Sequence, residues 1–97
     1  MAEFFLTNKA VEDLADIWDY TVETWSENQA ERYYLLLMDF CQELAEKPTR
    51  GKSYEIVDKN IFGYKAGQHI IFYRIVSASE IEVARILHGM MDLKSKI

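Results

Sequence analysis

Two strongly apolar runs lie close together in the last third of the chain, and they constrain its fold more than any other feature. They are His69–Val76 and Ile81–Leu87, and the four residues from Ser77 to Glu80 separate them. Both runs are rich in Ile, Val, Phe and Tyr, which pack well on a pleated surface. A connection this short reverses the chain, so the pattern predicts an antiparallel β-hairpin.

The first of these runs is apolar at both odd and even positions. Each face of the predicted strand carries three apolar side chains, namely Ile70, Phe72 and Val76 on one face and Ile71, Tyr73 and Ile75 on the other. A strand of this kind belongs in the middle of a sheet, beneath a cover that the rest of the chain must supply.

Two helical patterns in the first half of the chain provide this cover. The first is predicted from Lys9 to Trp25, with Thr7 or Asn8 as its cap, and the second follows a capping box formed by Ser26 and Gln29. In both patterns apolar residues recur at three- and four-residue steps. The first stripe contains Val11, Leu14, Trp18, Val22 and Trp25, and the second contains Ala30, Tyr33, Tyr34, Leu37, Phe40, Cys41 and Leu44.

The remaining segments complete the predicted order of elements. Glu3–Leu6 and Asn60–Ala66 are predicted strands, whereas Thr49 to Asn60 is polar and is predicted to be a loop. The order β-α-α-β-β-β predicts an α+β fold, in which a helical hairpin packs on one face of a largely antiparallel sheet. We expect a single domain over residues 1–97. We also expect three large side chains to be buried between the hairpin and the sheet, namely Trp18, Phe40 and Phe72.

The charge of the chain is distributed unevenly. The net charge is −5, but residues 1–49 contain 11 acidic and three basic residues, whereas residues 50–97 contain eight basic and five acidic ones. An acidic protein is poorly suited to tight nonspecific binding of a phosphate backbone. The acidic half can attract a basic partner segment, and the alternative is that it forms only a solvated helix face.

Several classes of protein are not indicated by the sequence. The four glycines are scattered, and no Cys/His set has the spacing of metal ligands, so we expect no cofactor and no metal. The N-terminus lacks the pattern of a signal peptide, and no apolar run has the roughly 18 residues that a membrane span needs. The lone Cys41 lies in an apolar helical stripe, which favours a core thiol in a reducing cytoplasm.

Arg74, Arg85 and His88 are the candidate functional residues of the central hairpin. The two arginines interrupt apolar strands. One interpretation is structural, with each arginine reaching the sheet edge or pairing with an acid such as Glu82. The other is functional, with the arginines anchoring a partner. An enzymatic alternative makes His88 a general base in RNA cleavage, assisted by Lys65, Tyr73 and Arg85. The acidic balance of the chain opposes that alternative.

Five segments of the chain carry a family resemblance. They are Ala10-x-x-Asp13-Leu14-x-x-Ile17-Trp18-x-Tyr20, Gln29-Ala30-x-x-Tyr33, Leu44-Ala45-x-x-Pro48-x-x-Gly51, His69-Ile70-Ile71-Phe72-Tyr73-Arg74 and Arg85-Ile86-Leu87-His88-Gly89-x-Met91-Asp92. In this order they resemble the ParE toxins of bacterial type II toxin–antitoxin systems, within the RelE/ParE superfamily. The departures are small, because Thr7 replaces a usual serine and Met90 replaces a common arginine.

The resemblance implies a fold and a function. It implies the β-α-α-β-β-β fold and a cytoplasmic, non-enzymatic toxin of plasmid maintenance that inhibits DNA gyrase and blocks replication. It also implies a ParD-like antitoxin that neutralises the toxin in a heteromeric complex, with DNA contacted only through the antitoxin or gyrase. The alternatives are a RelE-type, ribosome-dependent mRNA interferase and a degenerate homologue that binds an antitoxin without being toxic.

The sequence predicts two sets of partner contacts. The antitoxin set consists of Glu12, Asp13, Asp16, Asp19 and Arg74. The gyrase set consists of the tail after the last strand and the two residues at its root, namely Arg85, His88, Met90, Met91, Lys94 and Lys96. Methionine suits an adaptable surface and the lysines give the tail a positive charge, although the tail can alternatively pack along the sheet edge.

Overall fold

The two apolar runs form the centre of a five-stranded sheet in the computed structural model, which describes residues 2–55 and 59–89. The strands are β1 (Glu3–Leu6), β2 (Lys52–Ser53), β3 (Phe62–Ala66), β4 (His69–Ser77) and β5 (Glu80–His88). Their spatial order is β1-β5-β4-β3-β2, so the predicted hairpin of β4 and β5 occupies the interior of the sheet. Only β1 runs parallel to its neighbour, and all other pairs are antiparallel.

The two predicted helices are α1 (Asn8–Thr24) and α2 (Glu27–Glu46), followed by a single 3₁₀ turn at Pro48–Arg50. The predicted β-α-α-β-β-β order is therefore confirmed. The short strand β2 is an addition, because it lies in the segment that we predicted to be a loop. Two residues form this strand, and so short a segment carries no periodic signal in the sequence. Neither helix in the described ranges is long and apolar enough to cross a membrane.

Both helices begin at a hydroxyl cap, as the sequence predicts. The Thr7 Oγ1 accepts a hydrogen bond from the Ala10 amide at 3.1 Å, and the Ser26 Oγ accepts one from the Gln29 amide at 3.1 Å. The two caps differ in one respect, because the Thr7 hydroxyl also donates to the Ala84 carbonyl of β5 at 2.7 Å. Thr7 therefore starts α1 and fastens that start to the sheet.

This difference predicts unequal costs for two matched substitutions. Ser26→Ala should lower the free energy of unfolding by about 0.5–1 kcal/mol, which is typical of a lost exposed cap. Thr7→Ala should cost about 1–2 kcal/mol more than that, because it also leaves the Ala84 carbonyl without its donor. Urea denaturation of the two variants measures both values. Equal losses would contradict a role for Thr7 beyond capping.

The core consists of two clusters on opposite faces of the sheet. The larger cluster joins both helices to the sheet and includes Leu37 and Leu44 of α2 with Ile71, Tyr73 and Ile86. The lone cysteine belongs to it, as predicted, with its side chain fully buried and its thiol pKa raised to about 12 by burial. The smaller cluster contains no helical residue, and it consists of Ile61, Phe72, Ala84 and Leu87 with Tyr54 and Ile70 packed against them.

Two of the predicted core positions are wrong in part. Phe72 is fully buried, but in the smaller cluster and not beneath the helices, because alternation along β4 directs Ile71 and Tyr73 to the helical face. Trp18 is 37 % exposed, so it lies at the edge of the helix pair. Phe40 is partly buried against the larger cluster, where its ring packs on Tyr64 with the centroids 5.7 Å apart.

The predicted stripe of α1 is rotated relative to the observed one. The buried side chains of this helix are Ala10, Asp13, Leu14 and Thr21, with Ile17 packed beside them. Val11 and Trp25 are instead 52 % and 73 % exposed. The prediction chose the large apolar residues of this helix, whereas the fold also buries small and polar ones.

Candidate partner-binding surfaces

A buried ion pair joins α1 to β5 and involves two of the predicted partner contacts. The Arg85 Nε and Nη2 donate to the Asp13 Oδ2 and Oδ1, each at 2.8 Å, and the Ile86 amide donates to Oδ2 at 3.0 Å. The side chains of Arg85 and Asp13 are only 18 % and 10 % exposed. The hydrogen bonding of Arg85 to the Asp13 carboxylate, which accepts, is the main cause that raises the pKa of Arg85.

This ion pair contains one residue of each predicted set of contacts. The Asp13 carboxylate and the Arg85 guanidinium both bond within the chain. Their contacts with a partner stay predictions. Asp13 is three residues after the buried Ala10 and therefore lies on the same face of α1. Its partner Arg85 is 72 residues away in the sequence, so the sequence alone does not reveal the pair.

The remaining acids of the antitoxin set line the solvent side of α1. Glu12, Asp16 and Asp19 are all exposed. They recur at four- and three-residue steps and so form a row of their own, separate from the exposed apolar stripe of Val11, Trp18 and Trp25. The outer surface of α1 therefore combines apolar side chains with a row of negative charges.

A crevice between α1 and α2 adjoins this stripe. We call it the helix crevice, and the residues that line it are Leu14, Ile17, Trp18, Ala30, Tyr34 and Leu37. The rings of Trp18 and Tyr34 meet edge to face at its mouth, with their centroids 6.3 Å apart. Both rings are more than a third exposed, so the crevice opens to solvent between two aromatic side chains.

Arg74 lies apart from this surface. It is on β4, and its Nη1 is 3.8 Å from the Glu82 Oε1 on the neighbouring β5. This contact agrees with the alternative in which an arginine of the hairpin pairs with Glu82. The structure therefore does not bring Arg74 together with the acids of α1.

The gyrase set is only partly described by the structure. His88 is the last residue of β5, and it lies opposite His69 at the start of β4. Gly89 continues the chain, with its amide donating to the Gln68 carbonyl at 3.2 Å. Met90, Met91, Lys94 and Lys96 lie outside the described residues. The predicted role of the tail remains a prediction.

Two of the residues proposed for RNA cleavage, Tyr73 and Arg85, make structural contacts within the fold. The hydroxyl of Tyr73 is buried, donates to the Pro48 carbonyl at 2.6 Å and accepts from the Gly51 amide at 3.0 Å. It fastens the 3₁₀ turn to the sheet, and Arg85 is engaged by Asp13. Lys65 is exposed on β3, opposite Ile70 of β4 and not beside His88. Tyr73 and Arg85 thus both make contacts that hold the fold together.

A polar cluster at the end of the hairpin was not predicted. The Tyr33 hydroxyl of α2 is 2.5 Å from the His69 Nδ1, and the rings of His69 and His88 meet with their centroids 5.4 Å apart. The sequence does contain a sign of the histidine pair. His69 is eight residues before Ser77, where the predicted turn begins, and His88 is eight residues after Glu80, where it ends. Their strands therefore place them opposite each other.

Comparisons with known proteins agree with this architecture. A family model described as the ParE toxin of the type II toxin–antitoxin system parDE matches residues 4–93. A protein named toxin ParE1 from Mycobacterium tuberculosis is 32 % identical over 92 residues, covering 95 % of this chain and 94 % of that protein. A toxin ParE1 from Caulobacter vibrioides is 30 % identical over 97 residues, covering 100 % and 99 % of the two chains.

Two solved structures share the fold. One is described as the chromosomal ParDE toxin–antitoxin system from P. aeruginosa, with a TM-score of 0.77, 19 % identity and coverage of 91 % of this chain and 96 % of that one. The other is the toxin–antitoxin complex RelBE2 from Mycobacterium tuberculosis, with a TM-score of 0.66, 21 % identity and coverage of 90 % and 96 %.

Proposed function

Because the chain belongs to the ParE toxin family of type II toxin–antitoxin systems, we propose that it is a toxin that inhibits DNA gyrase and that a ParD-like antitoxin neutralises it. The observation that carries the proposal is the match to the family over residues 4–93. The toxin acts by binding and not by catalysis. This is supported by the engagement of Tyr73 and Arg85 in contacts within the fold.

The antitoxin occupies the helix crevice in this proposal. An apolar anchor of the partner enters between Trp18 and Tyr34, and its basic residues face Glu12, Asp16 and Asp19. Apolar anchors supply most of the affinity, because ordering a disordered segment costs conformational entropy. The charges mainly accelerate association. Asp13 has no part in this contact, since Arg85 and the Ile86 amide already occupy its carboxylate.

Charge reversal tests the electrostatic part of this proposal. Asp16→Lys combined with Asp19→Lys should slow association with the antitoxin and flatten its dependence on salt, because steering attraction is lost. The matched control is Asp39→Lys combined with Glu46→Lys, which changes the net charge equally on the exposed face of α2 away from Leu37. Stopped-flow association rates at low salt measure the effect. Equal rates for the two double variants would contradict steering by α1.

The gyrase-facing element in this proposal is the tail that follows β5, from Gly89 to Ile97, with His88 at its root. Its sequence carries Met90, Met91, Lys94 and Lys96, which combine adaptable apolar side chains with positive charge in an acidic protein. Arg85 is excluded from this element, because it is held by Asp13. Arg85 instead positions β5, the strand from which the tail departs.

Truncation separates a gyrase-facing tail from a structural one. Deletion of Met90–Ile97 should abolish inhibition of plasmid supercoiling by purified gyrase, with the melting temperature and antitoxin affinity close to the parent values. Lys94→Gln combined with Lys96→Gln is the charge control and should weaken inhibition only in part. Full inhibition by a stably folded truncated protein would contradict the assignment and would direct attention to the exposed faces of α1 and α2.

Expression without the antitoxin tests the function itself. Filamentation with DNA damage is expected for a gyrase inhibitor. Translation arrest with cleaved mRNA would instead indicate an mRNA interferase, and normal growth would indicate a homologue that binds an antitoxin without being toxic. The same strain carrying the truncated chain is the control for each readout.

A further inference from the structure

We propose that His69 and His88 form a two-imidazole binding site for a divalent transition-metal ion such as Zn²⁺ or Ni²⁺. The site lies where β4 begins and β5 ends, at the opposite end of the hairpin from its turn. It is separate from the helix crevice, and its existence does not depend on the proposed toxin function.

The geometry of the two rings suits a shared ion. His69 and His88 are directly opposite each other in the register of β4 and β5. Their ring centroids are 5.4 Å apart, and the ring planes are inclined by 80°. A tetrahedral Zn²⁺ with Zn–N bonds of about 2.0–2.1 Å holds the centroids of two imidazoles about 5 Å apart. The observed separation of the two centroids is therefore close to the one that a shared ion requires.

Tyr33 orients the His69 ring through the nitrogen that would not bind the metal. Its hydroxyl is 2.5 Å from the His69 Nδ1, accepts from the Gln68 amide at 3.0 Å and lies 3.4 Å from the Ala66 carbonyl. With a proton on Nδ1, the hydroxyl accepts from His69 and Gln68 and donates to Ala66. That arrangement leaves the lone pair of Nε2 for a metal, and ligating histidines usually have such a partner on the other nitrogen.

The approach of Tyr33 is built into the backbone of the turn between β3 and β4. Gly67 has a φ of 62°, and a Cβ at this position would lie 2.7 Å from the Tyr33 ring. A glycine is therefore needed both for the turn and for the contact with the ring. The tyrosine is thus placed by α2 and by the turn, independently of the two histidines.

The site offers an incomplete set of protein ligands. The described ranges contain no group of three or more His, Cys, Asp or Glu residues that could hold a metal. Two imidazoles with water in the other positions therefore make an open site that is weaker than a structural zinc site. Cys41 does not compete, because its side chain is fully buried in the larger core cluster.

Calorimetric titration of the untagged full-length protein with ZnCl₂ and NiCl₂ tests this proposal. These two histidines are the only ones in the chain, so substitution removes all imidazole ligands. We expect one ion to bind per chain. His69→Gln and His88→Gln should each lower the affinity for the ion by about 10-fold or more. Tyr33→Phe should lower it by about 10- to 100-fold, because the His69 ring loses its hydrogen-bond partner. Glu12→Gln combined with Asp16→Gln should leave the affinity unchanged. CaCl₂, which prefers oxygen ligands, should not compete.

Long-range ¹H–¹⁵N spectra of the imidazoles distinguish the site from binding at surface carboxylates. One equivalent of Zn²⁺ should shift a ring nitrogen of both histidines together, and melting curves in a chelator check that each variant is folded. His88→Gln, at the end of β5, keeps the test valid if His69→Gln is unstable. Unchanged binding in the variant that lacks both histidines, or no binding by the parent protein, would overturn the proposal.

Discussion

Asp13→Ala is expected to lower the free energy of unfolding by about 3–5 kcal/mol, because it leaves the Arg85 guanidinium buried without its counter-charge. The substitution removes both charged hydrogen bonds to Arg85 and the bond that the Ile86 amide donates. These groups join the first half of α1 to β5, an interior strand of the sheet. Urea denaturation measures the loss directly.

The Asp13–Arg85 pair also predicts an asymmetry between breaking and replacing it. Because a large part of the loss comes from an uncompensated charge, Asp13→Leu combined with Arg85→Leu should be clearly more stable than Asp13→Ala. The matched control is Glu82→Ala, since Glu82 pairs with Arg74 at 3.8 Å and both side chains are about a third exposed. That loss should be below about 1 kcal/mol. Equal losses for Asp13→Ala and Glu82→Ala would contradict the structural role of the buried pair.

Phe72→Ala is expected to lower the free energy of unfolding by about 3–5 kcal/mol, through lost burial and the cavity that remains. Phe72 is fully buried, and its ring meets the Tyr54 ring edge to face with the centroids 5.3 Å apart. Both are in the smaller core cluster, so the damage should be concentrated on the face of the sheet that the helices do not cover. A loss of this size is a large share of the stability of a small domain.

Trp18→Ala is the control that separates burial from residue type. Trp18 is also a large aromatic residue, but it is 37 % exposed at the mouth of the helix crevice. We expect Trp18→Ala to cost distinctly less stability than Phe72→Ala and to weaken antitoxin binding, which Phe72→Ala should affect only through folding. Comparable losses of stability in the two variants would show that the sheet face around Phe72 is not a core.

The sequence by itself determined both helices, the four longer strands and their order, but not the two-residue strand β2. The apolar runs predict β4 and β5, and the hydroxyl residues Thr7 and Ser26 predict the starts of α1 and α2, because strand alternation and helix capping are local properties. The central position of β4 also followed from sequence, since a strand that is apolar on both faces needs cover on both. The five family segments pointed to the ParE toxins, and the family match over residues 4–93 confirmed this.

Only the tertiary structure decided which faces and which charges are buried. Asp13 resembles its neighbours Glu12 and Asp16 in the sequence, yet it is buried in an ion pair with Arg85. That contact joins residues 72 positions apart, so no local pattern reveals it. The stripe of α1 could not be fixed from hydrophobicity, since the small Ala10 and the polar Thr21 are buried while Trp25 is exposed. The hydrogen bond between Tyr33 and His69 likewise depends on how α2 crosses the turn before β4, and no local pattern encodes that crossing.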